Sequence, residues 1–328
     1  MKVLYIGGTG NISTASSHRA LTNDIELWHL NRGKTASAVN GVKNITCDIN
    51  DSNQAQQALE GHEWDCVVNW IAFTPEQVKR DLELFINRTR QYIFISSASC
   101  YQTPLQNPVI TERTPLSNPF WQYSRDKIAC EELLMNAFRE NGFPATIVRP
   151  SHTYSKVIPI PLGGWTEYTT VNRIKKGLPI VVHGDGASLW VLTHAEDFAK
   201  GFNGLIGNSA AIGEAVHITS DEVLTWDQIH RQLAEAMGAE AKIVHVTSDK
   251  ICRFDPEYVG SLLGDKTASV IFDNSKIKRL VPDFKATIPF AEGIKRTIEW
   301  FEADPARQVT NPTDNAFIDR LIASEGKD

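Results

Sequence analysis

Lys2-Val-Leu-Tyr-Ile6 is a short run of apolar and β-branched residues that leads straight into Gly7-Gly-Thr-Gly10-Asn-Ile-Ser13 and then a helix-compatible stretch. A strand that turns through glycines into a helix constrains the fold more than any other feature of the chain. Glycines there let backbone N–H groups approach an anion closely, and the helix N-terminus favours negative charge at the same place. The spacing is Gly-x-x-Gly with Ser13 where a third glycine would stand, and Ser is small enough for close helix–strand packing. Further strand-like runs follow at 25–30, 43–46, 65–72, 91–96 and 145–149. Helix-compatible stretches lie between them at 12–21, 52–60, 76–87 and 122–140. This alternation predicts an α/β fold, a Rossmann-type doubly wound parallel sheet with helices on both faces.

A second pattern bears on chemistry. Tyr123-Ser-Arg-Asp-Lys127 places a phenol and an ammonium four residues apart, on one helix face. A free Tyr titrates near pH ~10, and a nearby cation stabilises its phenolate and lowers that value. Ser97, 26 residues earlier, lies in Ile95-Ser-Ser-Ala-Ser-Cys-Tyr101 and offers a hydroxyl for a substrate oxygen. Ser96 and Ser99 are its nearest competitors.

Together these motifs resemble the short-chain dehydrogenase/reductase superfamily, in its extended, atypical branch of NAD-dependent epimerases, dehydratases and reductases. The resemblance runs over essentially the whole chain. It also rests on Cys47-Asp48-Ile49, Arg149-Pro150-Ser-His-Thr-Tyr154, His183-Gly-Asp-Gly186 and Glu299-Trp300. It implies an NAD(P)-binding Rossmann domain over 1–150 and a smaller C-terminal substrate-binding lobe, mainly 151–328, the two interleaved and the boundary nominal. It also implies catalytic roles for Ser97, Tyr123 and Lys127: Tyr123 as acid/base, Lys127 tuning it and bonding the cofactor ribose. Cofactor contacts are expected at Gly7, Gly10, Asn11, Ile12, Asn31, Arg32, Lys34, Asp48, Ile49, Ala72, Tyr123, Lys127 and Pro150. Substrate contacts are expected at Phe73, His152, Trp165 and Trp190. His194 and Asp197 read as structural.

The end of the second strand bears on cofactor choice. Trp28-His-Leu-Asn31-Arg32-Gly-Lys34 lacks the acid that would accept hydrogen bonds from an adenosine ribose. Arg32 and Lys34 suit a 2′-phosphate, which favours NADP(H), with NAD(H) as the alternative; two solvated cations on a turn would look the same. Other departures narrow the reaction. Ala98-Ser99 follows Ser97 where dehydratases carry a carboxylate, so dehydration is not expected. Trp190 stands four residues after Gly186, where sugar-nucleotide enzymes place an arginine that grips a diphosphate. Trp190 then either stacks on a ring or belongs to the core. The segment between Ala72 and Gln91 is short for the branch.

Composition bounds the alternatives. The 328 residues are 42% hydrophobic with a net charge of −6 and no long basic run, which disfavours nucleic acid as the partner. No apolar stretch reaches the ~20 residues of a membrane helix. Five cysteines without a Cys-x-x-Cys pair suggest reduced thiols and a cytoplasmic protein, and no histidine spacing supports a metal site. The expected activity is hydride transfer to or from a secondary alcohol or ketone, a sugar or sugar derivative being one candidate, with a small-molecule substrate and a homodimer left open. The competing readings are a sugar-nucleotide epimerase, and a nucleotide-sensing or RNA-associated binding protein on the same fold, of the kind seen in chloroplast stem-loop-binding proteins.

Overall fold

The computed structural model describes residues 1–33 and 39–325; Lys34 lies outside them. Its centre is a seven-stranded parallel sheet. The strands β1 (Lys2–Ile6), β2 (Glu26–Asn31), β3 (Lys43–Thr46), β4 (Cys66–Asn69) and β5 (Tyr92–Ile95) come first. A two-residue strand β6 (Val109–Ile110) lies outside this sheet, and β7 (Ala145–Pro150) and a strand at Ala215–Ile218 complete it. Their spatial order is Ala215–Ile218, β7, β5, β4, β1, β2, β3. The alternation expected from the sequence is therefore present, and the last strand of the sheet comes from well beyond residue 150.

Val3, Leu4, Tyr5 and Ile6 of β1 are fully buried, as a central parallel strand covered on both faces must be. Leu4 and Ile6 pack in one cluster with Ala55, Leu59, Val78, Leu84, Cys130 and Leu134. These come from α2 (Ser52–Ala58) and its flank, α3 (Pro75–Phe85) and α4 (Gln122–Asn141). Val3 and Tyr5 face the other side and join Ala20 of α1 (Asn11–Thr22) and Phe198, Phe202 and Leu205 of the helix Ala195–Leu205. Chain reversal occurs between β1 and β4, so the loops after both strands open outward at one edge. Register sharpens this: Ile6 is level with Leu30 of β2 and Asn69 of β4, which brings Gly7, Asn31 and Trp70 out at the same height, with Arg32 one residue further on.

Beyond the sheet, most residues of the C-terminal half gather in two further apolar clusters. One contains Tyr154, Trp190, Trp226, Phe290 and Phe301; another seats Phe317, Ile318 and Leu321 of the helix Pro312–Ser324. Asp197, on the helix Ala195–Leu205 that packs on the sheet, holds the segment before the helix Phe290–Glu302, its carboxylate accepting from the Thr287 and Ile288 N–H groups. His194 caps the helix after it. Among the described residues no helix is long and apolar enough to cross a membrane, no cluster of side chains could hold a metal ion, and all five cysteines are free and buried.

Gly8 is the tightest point beneath the glycine loop. Its φ is +106°, and a Cβ there would lie 2.6 Å from His29 Nε2. His29 is buried, accepts or donates at Ser17 Oγ 2.9 Å away, and is pushed down to about 4 by burial. Gly8→Ala therefore combines backbone strain with overlap against a ring that cannot move outward. The expected loss is about 2 kcal/mol, read as a fall in thermal midpoint of the purified protein; an unchanged midpoint would show that the loop has room to shift.

Candidate active site

A cleft of about 780 Å³ opens at this sheet edge, a size that accommodates a sizeable organic ligand. One wall is the glycine loop, Gly7–Ser13. Gly10 precedes α1 and has no side chain to cap it, so the N–H groups of the first turn are left for a ligand. Gly7 adopts φ +97°, and a Cβ there would crowd Ile71 and Trp70 at 3.1 and 3.4 Å. The positive φ values of Gly7 and Gly8, the open first turn and the absence of bulk form a cradle that fits a pyrophosphate. Asn11 uses its side chain differently, bonding Thr153 O and the Lys156 N–H across the cleft mouth.

The opposite wall is α4. It begins after Trp121 and ends at Gly142, which takes the left-handed conformation (φ +67°) that closes a helix. Tyr123 and Lys127 both line the cleft, one turn apart. Lys127 is almost fully buried and donates to Ala72 O and Ile95 O, each at 2.7 Å. Its ammonium lies 4.6 and 4.7 Å from the ring centroids of Phe73 and Phe94, and 5.8 Å from that of Tyr123. Burial pushes Lys127 down to about 8. Burial also pushes Tyr123 up to about 12, while a hydrogen bond with Ser97 pulls it the other way. The sequence-based expectation that Lys127 lowers the Tyr123 value is not what dominates: the ammonium commits two of its donors to backbone carbonyls, and desolvation of the phenol is the larger effect.

The three neighbouring serines are distinguished by their partners. Ser96 is buried and donates to Glu131 Oε1. Ser99 is buried between Ser97 Oγ (2.9 Å) and Ser124 Oγ (2.7 Å). Ser97 alone of the three is half-buried, and it lines the cleft together with Tyr123, whose value it pulls down. Behind them Glu131 receives Arg149 Nε at 2.9 Å and Nη2 at 2.5 Å, and Tyr101 lies under that guanidinium.

Of the remaining expected residues, Ile12, Phe73, Pro150, His152 and Trp165 line the same cleft. Asn31, Arg32, Asp48 and Ile49 stand outside its lining, at the ends of β2 and β3. Arg32 is exposed; Asn31 is bonded to the Gly33 N–H and Asp48 to Asn50. Ala72 is buried and contributes its carbonyl to Lys127. Trp190 is 2% exposed, does not line the cleft, and backs His152. Sequence reasoning missed Trp121, Ser261, Asp265 and Lys266, which complete the cleft. Asp265 and Lys266 are paired at 2.8 Å on a π-helical turn, Leu262–Lys266. Asn118 fixes that turn by donating to Gly264 O at 2.7 Å, and Gly260 and Gly264 let it press against Trp121. No motif or periodicity marks that segment.

The burial of Lys127 has a measurable signature. Its folded value of about 8 lies below the unfolded ~10.4, so between those pH values the unfolded chain binds more protons and stability rises with pH. Below about pH 8 the full cost is present, roughly 3 kcal/mol. Denaturant unfolding at pH 7.5, 8.5 and 9.5 is expected to show wild type gaining stability relative to Lys127→Met as pH rises. A difference independent of pH would mean that Lys127 is not desolvated.

Residues 3–218 match the family described as NAD dependent epimerase/dehydratase. The chain is similar to the 2'-dehydrokanamycin reductase of Streptomyces kanamyceticus, 22% identical over 87% of this chain and 80% of that protein. It is also similar to a dTDP-glucose 4,6-dehydratase of an Actinoplanes species, 26% identical over 59% of this chain and 54% of that protein. It thus spans most of the first relative and about half of the second. In fold it is similar to the UDP-glucuronic acid 4-epimerase of Bacillus cereus, solved with UDP-glucuronic acid and NAD, with a TM-score of 0.72 at 17% identity over 92% of this chain and 99% of that one. This is an enzyme with a nicotinamide cofactor, and the chain belongs to the NAD dependent epimerase/dehydratase family.

Proposed function

We propose that this enzyme is an NADP(H)-preferring reductase acting at a ketone of a small, sugar-like molecule. The observation that carries this reading is the placement of the Tyr123 phenol, Ser97 and Lys127 on the lining of one cleft, with the phenol kept protonated by burial. Such a phenol is protonated at neutral pH, the form that the reductive direction requires of an acid, although its raised value makes it a weaker acid than a free tyrosine. The nicotinamide, when bound, supplies the hydride. Ser97 holds the substrate oxygen, and Tyr123 donates its proton to that oxygen as the carbonyl carbon is reduced. Solvent then returns a proton to the phenolate. Lys127, with two donors committed to the backbone, holds α4 in place and has a third N–H for the ribose. A relative that spans most of the chain is named as a reductase, which supports the direction of the reaction.

The cofactor preference rests on the exposed Arg32 after β2 and on the absence of an acid there. Lys34 is a second candidate contact, outside the described residues. Sugar-nucleotide epimerase is the second reading, favoured by the likeness of fold to an enzyme solved with NAD. Mass spectrometry of nucleotide released from gently purified protein separates the two: stoichiometric NAD supports epimerase, and an empty site that takes up NADPH supports reductase.

Tyr123→Phe removes only the ionisable oxygen. It is expected to abolish hydride transfer to a ketone substrate while leaving NADPH affinity within a few fold, measured by calorimetry. Turnover near the wild-type rate would remove Tyr123 from the acid/base role.

Arg32→Ala is expected to weaken NADP(H) and spare NAD(H), because the guanidinium's partner is the 2′-phosphate. A charge-assisted hydrogen bond of this kind contributes about 1.5–3 kcal/mol, roughly ten- to hundredfold in affinity. Equal losses with the two cofactors would overturn the preference.

A further inference from the structure

His152 and Trp190 form a unit whose chemistry is set by what an indole can do. Trp190 Nε1–H donates to His152 Nδ1 at 3.0 Å. An indole nitrogen is a donor only, so His152 Nδ1 must be the acceptor, and in the neutral ring the proton then sits on Nε2. That Nε2–H has no hydrogen-bond partner among the described residues, and the half-buried residue lines the cleft. Burial, with the Lys266 ammonium as the neighbouring charge, holds the ring well below the ordinary histidine range, hence neutral.

The indole is itself held. Trp190 lies 5.4 Å from Trp226, and the fully buried Trp226 donates to Lys266 O at 3.1 Å. On the cleft side Trp165 stacks on His152 with ring centroids 5.7 Å apart and 23° between planes. Trp165 takes a left-handed φ of +61° and stays 46% exposed. Its backbone exchanges hydrogen bonds with Ile158, and Gly164 before it leaves room for Ile160 that a Cβ would fill. A bulky residue is rarely left in that conformation without surrounding structure that over-determines it.

We propose that Trp190 is a positioning residue that fixes His152 as a neutral Nε2–H donor, and that His152 gives this bond to a hydroxyl or carbonyl oxygen on the non-reacting part of a polyhydroxylated ring lying against Trp165. The substrate side of this inference rests on the oxidoreductase reading of the cleft; the tautomer does not. The donor discriminates by hydrogen bonding, since a substrate lacking an oxygen there leaves the N–H unpaired.

The test is nitrogen NMR on full-length protein labelled with 15N-histidine, the His152 signals being those lost in His152→Gln. The wild type is expected to show protonated Nε2 and unprotonated Nδ1 from pH 8 to pH 5.5. Trp190→Phe, which keeps an aromatic ring and loses the donor, is expected to move these shifts toward a mixture of tautomers. A wild-type ring protonated at Nδ1, a ring that titrates near 6.5, or unchanged shifts in Trp190→Phe would each overturn the proposal. Kinetics with the best ketone found in a screen of keto-glycosides with NADPH supply the second arm. His152→Leu should raise KM about tenfold with a smaller change in kcat, and His152→Gln, whose amide N–H reaches a similar point, should restore KM to within about threefold. Wild-type KM in His152→Leu overturns the substrate contact. Loss of the reductase reading itself would appear instead as full activity in Tyr123→Phe, with the NMR result unaffected.

Discussion

The cleft is organised by one buried ammonium. Lys127 sits in the interior with its charge against Ala72 O, Ile95 O and the faces of two phenylalanine rings. Taking an ammonium out of water costs several kcal/mol, and the carbonyl bonds and ring faces offset only part of that, as its lowered value near 8 records. What the arrangement does is geometric. It ties the first turns of α4 to the chain just after β4 and to the end of β5, the next two strands out from the glycine loop's own strand. Tyr123 is one turn earlier on that helix, so its phenol has little freedom to leave the wall that also holds Ser97.

The same helix repeats the device one turn further on. Glu131 lies four residues after Lys127 and faces the sheet too, where it receives Arg149 in two bonds and Ser96 in a third. Removing one member of such a buried pair leaves the other uncompensated, which is far costlier than never having had either. Tyr101 covers the guanidinium and reaches His217 on the edge strand at 2.9 Å. The loop from Ser96 to Tyr101 is therefore clamped at both ends by α4, β7 and the strand Ala215–Ile218. Ser97 is its half-exposed hydroxyl because its neighbours are spent on these bonds.

Much of this was legible in the sequence, and the boundary of legibility has a physical cause. The strand–glycine–helix start, the alternation up to residue 150 and the Tyr–Lys spacing are local patterns, and each maps onto an observed element within one to three residues at most positions. What could not be read depends on contacts between distant segments. Lys127 chooses Ala72 and Ile95 carbonyls only because two strand ends converge beneath it. The Tyr123 value rises because of burial that spacing does not encode. Trp190 reads as either wall or core until its indole is seen behind His152, and the Asp265–Lys266 pair reaches the cleft through a π-helical turn held by Asn118 some 146 residues away.

The two halves of the cleft are built differently, and under the proposed reading this separates chemistry from selectivity. The half proposed to take the dinucleotide and the reacting oxygen comes from strand ends and helix starts, elements whose hydrogen bonds are satisfied within the sheet and helix. The other half is built from short strands, a π-helical turn and a loop that holds Trp165 at positive φ. Backbone strain of about 1–3 kcal/mol per residue persists only where neighbours enforce it. Here the Ile158 pairing and the space beside Gly164 enforce it for Trp165. A site arranged in this way can change what it accepts by altering loop residues around His152, Trp165 and Asp265. The register that fixes Ser97, Tyr123 and Lys127 stays intact, because that register is set by buried charges on α4 that no loop substitution reaches.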